Sequence, residues 1–231
     1  MRPAVALVAV LALAGCAAPA SDARTVTVFA AASLTESFDA IAAAFEQEHP
    51  GVHVVLNYGG SAALAAQIAE GAPADVFAAA SPALLPEGTS FATNALELAV
   101  PTGNPGGVAS LADLARPELV VALCAVEVPC GAAAATLLAD AGITASVDTF
   151  EQDVKAVLSK VELGEVDAGL VYVTDVLAAG DRAQGIELPD AKPLAYPIAA
   201  LTESEAAAAF VAFVLSDAGQ RILAEAGFGA P

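Results

Sequence analysis

An α/β fold of two lobes, each a mostly parallel sheet covered by helices, is what this chain predicts, and three observations carry the prediction. Short apolar runs rich in Val, Phe and Ala alternate with stretches whose apolar residues recur at helical spacing. Strands and helices in alternation form parallel sheets under helical layers. A break at mid-chain, Pro101-Thr-Gly-Asn-Pro-Gly-Gly107, interrupts the rhythm and marks a crossing from one lobe to the other.

The elements follow in order. Residues 1–15 of MRPAVALVAVLALAGC have a positive start at Arg2, an apolar run from Ala4 to Ala14 and small residues before Cys16. This pattern is an export signal, too short for a stable membrane span. Leu13-Ala14-Gly15-Cys16 resembles the lipobox of bacterial lipoproteins, which implies cleavage before Cys16, a lipid on its thiol and a tether over residues 16–24. A plain signal peptide cut near a cysteine is the alternative. The remaining stretch of about 215 residues is enough for one large or two small domains.

Strands are expected at Thr25–Ala30, Val52–Asn57, Val76–Ala79 and Leu96–Val100, with helices at Ser33–His49 and Ser61–Glu70. These make the first part of lobe I, 25–100. Lobe II, 101–175, follows with helix 110–115, strand 119–123, helix 131–140, a strand or turn near 147–150, helix 153–163 and strand 168–173. Residues 176–231 return to lobe I, where Ser204–Ala226 carries apolar residues at helical spacing. The return crossing is placed only within 175–200, because GDRAQGIELPDAKPLA offers no clear strand start.

A net charge of −19 argues against nucleic acid or an anionic membrane surface as partner. Any bound anion must then be held by local dipoles against the global field. Chemistry is poorly provided for. No Gly-x-Ser-x-Gly elbow is present, the two histidines (His49 and His53) both sit near the end of the first helix, and the carboxylates spread over helix faces like a solvated surface. The chain does not read as an enzyme. Cys124 and Cys130, an even pair in an exported chain, read as a disulfide bracing LCAVEVPCG. A metal site is the alternative, but the two histidines do not complete a tetrahedral set at usual spacing.

Two strand-to-helix turns reach their helices at serines, Ser33 and Ser61. Free N–H groups and the positive end of a helix dipole make such a turn an oxyanion site. Ser33-Leu-Thr-Glu36 also matches a capping box, so the plainer role of Ser33 is to cap its own helix. Ser61 follows Tyr58-Gly59-Gly60, where two glycines permit unusual φ and close backbone approach.

VFAAASLTESF, YGGSAALAAQIAEGAPADVFAAAS, EQDVKAVLSKVELGEVDAGLVYVTD and YPIA with a terminal AGFG together resemble the molybdate-binding proteins (ModA family) of bacterial ABC importers, over nearly all of residues 25–231. The resemblance implies a two-lobed type II periplasmic binding protein with an oxyanion, molybdate or tungstate, in the interlobe cleft. It implies that Ser33 and Ser61 donate hydroxyl and N–H, that Cys130 and Val154 donate backbone N–H, and that Tyr172 donates its phenol. Cys130 stands where the family usually has a small residue. Tyr172 has a plainer role as an aromatic packed in the hinge. The resemblance also implies a membrane permease as partner, a monomer on the outer face of the cytoplasmic membrane touching it only through the lipid, and no cofactor. Another oxyanion (sulfate, thiosulfate or phosphate) and a lipoprotein sensor on the same fold are the alternatives.

Overall fold

The computed structural model describes residues 24–231; the expected export signal, lipobox and Cys16 lie outside them. In chain order the elements are β1 (Arg24–Ala31), α1 (Thr35–Glu48), β2 (Val52–Gly59), α2 (Ser61–Ala69), β3 (Val76–Ala78), β4 (Thr89–Asn94), β5 (Leu96–Pro101), β6 (Val121–Cys124), α3 (Pro129–Asp140), β7 (Thr149–Glu151), α4 (Val154–Glu162), β8 (Ala168–Tyr172), α5 (Val173–Ala179), β9 (Ala183–Ile186), β10 (Leu194–Ala200), α6 (Glu205–Leu215) and α7 (Asp217–Glu225).

They build two five-stranded sheets, ordered β2-β1-β3-β10-β4 and β7-β6-β8-β5-β9. Each is mixed: three parallel strands joined through helices, then a fourth strand running against them and a fifth antiparallel to the fourth. Helices cover both faces, so central strands read as continuous apolar runs rather than alternating ones. Val28, Phe29 and Ala30 of β1 and all of β8 are buried. In lobe I, Phe45 meets Phe210 and Phe213 edge-on at 5.3 and 5.7 Å, a geometry aromatic rings favour. The lobe II core gathers Leu98, Leu114, Val121, Val157, Val161 and Leu170.

The division between lobes differs from the expected boundary at residue 100. β5 belongs to the second sheet, so the chain crosses at Ala95, between β4 and β5. The PTGNPGG break is instead a turn within lobe II, in which Asn104 bonds the Val108 carbonyl at 2.7 Å and its N–H at 3.0 Å. Pro and Gly mark a turn equally whether or not the chain changes sheet. A crossing made by one extended residue leaves no such mark. Lobe II likewise runs beyond 175, because β9 joins the second sheet and the return falls between Ile186 and Leu194.

Smaller differences have local causes. The expected helix at 110–115 is a 3-10 turn, Leu111–Ala115. The C-terminal helical run breaks at Ser216, whose hydroxyl donates to the Phe213 carbonyl at 2.7 Å and caps α7 by accepting from the Gly219 N–H. Among the described residues no single helix is long and apolar enough to cross a membrane.

Candidate functional site

Four turns and one strand end meet between the lobes. β1 leads through a 3-10 turn, Ala32–Leu34, into α1, and Ser33 sits in that turn, buried. The inserted turn moves Ser33 ahead of the α1 N-cap, Leu34, and no side chain caps α1. The capping-box role expected for Ser33 is therefore overturned: its Oγ lies 3.0 Å from the Tyr196 hydroxyl. With Tyr196 donating, the Ser33 proton is free to point into the cleft.

Ser61 opens α2, and its Oγ accepts the Ala80 N–H at 3.0 Å, which likewise leaves its proton to donate. Cys130 is the second residue of α3, behind Pro129. Because proline has no N–H and presets helical φ, the Cys130 N–H is the first free donor of that helix. Val154 is the first residue of α4, whose cap Asp153 accepts the Ala156 N–H at 2.9 Å. Tyr172 ends β8; its side chain is buried and its hydroxyl has no hydrogen-bond partner among the described residues. Its ring meets the Tyr196 ring edge-on, centroids 6.0 Å apart.

All five sequence-derived residues, Ser33, Ser61, Cys130, Val154 and Tyr172, line one small cavity. Its volume is small, about 20 Å³, room for one compact ligand rather than an extended organic one. One compact polyatomic ion fits. Among the described residues no Lys or Arg lines the cavity, and Asp153 is the one carboxylate that does.

The lobes approach closely at this point. A Cβ on Gly60 would stand 2.3 Å from the Gln152 carbonyl oxygen of the opposite lobe. Gly60 has φ −60°, so space rather than an unusual dihedral requires glycine there. A disulfide joins Cys124, the last residue of β6, to Cys130. The loop between them folds against the first turn of α3, where a Cβ on Gly131 would collide with the Ala125 carbonyl.

Sequence reasoning missed the residues behind these donors. Tyr196 lies within the YPIA run, but nothing in a strand tyrosine shows that it supports a serine 163 residues away. Asp175 is fully buried; one carboxylate oxygen accepts the Tyr172 N–H at 3.1 Å and the other lies 3.2 Å from Lys155 Nζ, off the line of a good hydrogen bond. Burial pushes the Asp175 carboxyl up to about 6, against the pull of Lys155. Burial alone would lower the Lys155 ammonium; Asp175 and Glu36 reverse this and leave it raised. Tyr172 and Tyr196 are both raised, chiefly by burial, so both remain protonated donors.

The family model for bacterial extracellular solute-binding proteins matches residues 26–229. The molybdate-binding protein ModA of Mycobacterium tuberculosis is 40% identical over 93% of this chain and 88% of its own length. The periplasmic molybdate-binding protein of Azotobacter vinelandii superposes with TM-score 0.76 at 21% identity, covering 89% of this chain and 99% of that one. The sulfate-binding protein SubI of M. tuberculosis also gives 0.76, at 22% identity over 89% and 86%. Overall shape therefore does not choose between these anions.

Proposed function

This chain belongs to the bacterial extracellular solute-binding proteins, which are transport components rather than enzymes, and we propose that it binds molybdate, with tungstate as its analogue, for delivery to the membrane permease of an ABC importer. One observation carries the reading: a small cavity between the lobes lined by N–H and hydroxyl donors, with no Lys or Arg among its described lining residues. Such donors match a fully deprotonated dianion, which has only lone pairs to offer. Helix N-termini at Ser61, Cys130 and Val154 supply partial positive charge. The M. tuberculosis relative, bearing the same ligand in its name, supports the choice of anion.

In this reading Ser33 and Ser61 donate hydroxyl and N–H, Cys130 and Val154 donate N–H, and Tyr172 donates its phenol. Cys16 carries a lipid that holds a monomer at the outer face of the membrane, and Cys16→Ser should move the protein into the soluble fraction. Calorimetry with molybdate, tungstate, sulfate and phosphate tests the ligand. One-to-one binding with sulfate far weaker is expected; equal affinity for sulfate would overturn the assignment. Asp153 favours a second reading, a partly protonated anion such as phosphate, whose proton needs an acceptor. One Asp153 oxygen accepts the Ala156 N–H and the other remains an acceptor, so tight phosphate binding in the same titration would favour this second reading.

A further inference from the structure

Lys155 reaches across the cleft. Its Nζ lies 2.8 Å from both carboxylate oxygens of Glu36, in the first turn of α1, and 3.2 Å from Asp175 in its own lobe. We propose that Lys155, gripped between Glu36 and Asp175, is the positioning residue that holds the two halves of the anion site together and sets how long the anion stays.

Each contact of this lysine leads to a donor. Glu36 is on the helix that begins just after Ser33, and Lys155 itself follows Val154. Asp175 accepts the backbone N–H of Tyr172. One ammonium thus ties together three of the five cavity residues, two in lobe II and one in lobe I, without lining the cavity itself. Glu36 stands on α1 of lobe I and Lys155 on α4 of lobe II, so their contact exists only while the lobes are closed. Separating the lobes would leave Glu36 in water but would not free Lys155 from Asp175. The interlobe leg is therefore the part that breaks on opening, and it acts on release more than on capture.

The inference rests on the anion-binding reading, and its test keeps the two apart. Stopped-flow measurements use molybdate as probe on the wild type, Glu36→Gln and Lys155→Arg. Glu36→Gln removes only the interlobe leg and keeps buried Asp175 paired, so the fold is spared. It should release molybdate about fivefold faster, the upper range for a partly exposed ion pair, with association changed less than twofold. Lys155→Arg, which keeps the charge, should stay near the wild-type rate. Raising ionic strength should speed release from the wild type and not from Glu36→Gln, because only the wild type has this pair to screen.

A Glu36→Gln protein that binds molybdate and releases it at the wild-type rate would overturn the clasp while leaving the ligand assignment intact. If the wild type does not bind molybdate, the clasp is still read without ligand, from the interlobe distance distribution between spin labels. Glu36→Gln should shift that distribution toward longer distances. An unchanged distribution would overturn the clasp.

Discussion

Lobe I presents two serine hydroxyls already partnered from behind, Ser33 by the Tyr196 hydroxyl and Ser61 by the Ala80 N–H. Lobe II presents two backbone N–H groups at helix starts, one braced by a disulfide, and a tyrosine hydroxyl with no partner. The first half is satisfied whether or not anything lies between the lobes. The second keeps the buried Tyr172 hydroxyl unpaired beside the cavity, a cost that a ligand would relieve. The same substitution, loss of one hydroxyl, should therefore act differently on the two sides.

Ser61→Ala gives the largest effect expected. Losing a hydrogen bond to a charged group costs about 1.5–3 kcal/mol of molybdate binding, and the Ala80 N–H left behind destabilises the free fold as well. Calorimetry and thermal unfolding should both move downward; binding within threefold of wild type would break the lobe I half of the comparison. Next is the disulfide. Reduction opens a short loop and should cost about 2 kcal/mol of stability in the chain-entropy picture. It should also weaken molybdate binding, since the Cys130 N–H loses its brace. Both cysteines are buried and should resist alkylation until reductant is added; free reaction in the oxidised protein would contradict the bond.

Tyr172→Phe sharpens the contrast, because the two readouts should part. Binding should fall by about 1.5 kcal/mol, while the free protein, relieved of an unpaired buried hydroxyl, should unfold at the same temperature or higher. A fall in both would mean that the hydroxyl has a partner at rest and that the lobes do not differ. Acidification probes the support behind Tyr172. The Asp175 carboxyl is raised to about 6 in the fold, so between pH 7 and pH 5 the folded protein takes up a proton that the unfolded chain does not. This group should therefore add about 1 kcal/mol of stability as pH falls through that window. Asp175→Asn should remove this increment when thermal midpoints are compared; an equal pH response in both proteins would refute it.

The smallest effect concerns capture. A chain of charge −19 repels a dianion at long range, and Lys155, next to the cavity residue Val154, is held by two carboxylates. Association of molybdate should rise modestly with ionic strength. A steep fall would point to a basic funnel and would make the donor contrast secondary.

Much of this arrangement was legible because it is written locally. The turn serines, Pro129-Cys130 and Asp153-Val154 announce helix starts within a few residues, and the resemblance to a known family gathered them into one site. The lobe boundary was not legible, since Ala95 joins two extended strands without any breaker. Strands β9 and β10 were missed because Ala183–Ile186 is short and Gly-containing, while Leu194–Ala200 carries a proline; each is held by pairing with distant strands.

By itself the sequence determined what depends on neighbours along the chain: alternating element types, helix starts that expose N–H groups, and a charge that argues against polyanionic partners. Only the tertiary structure decided which hydroxyls were engaged and which was left free. It also decided that glycine at position 60 serves an approach of two backbones, and that Lys155 spans the cleft. The reason is distance along the chain. Ser33 meets Tyr196 across 163 residues and Glu36 meets Lys155 across 119, separations at which no local pattern carries information and only the packing of two complete lobes brings the atoms together.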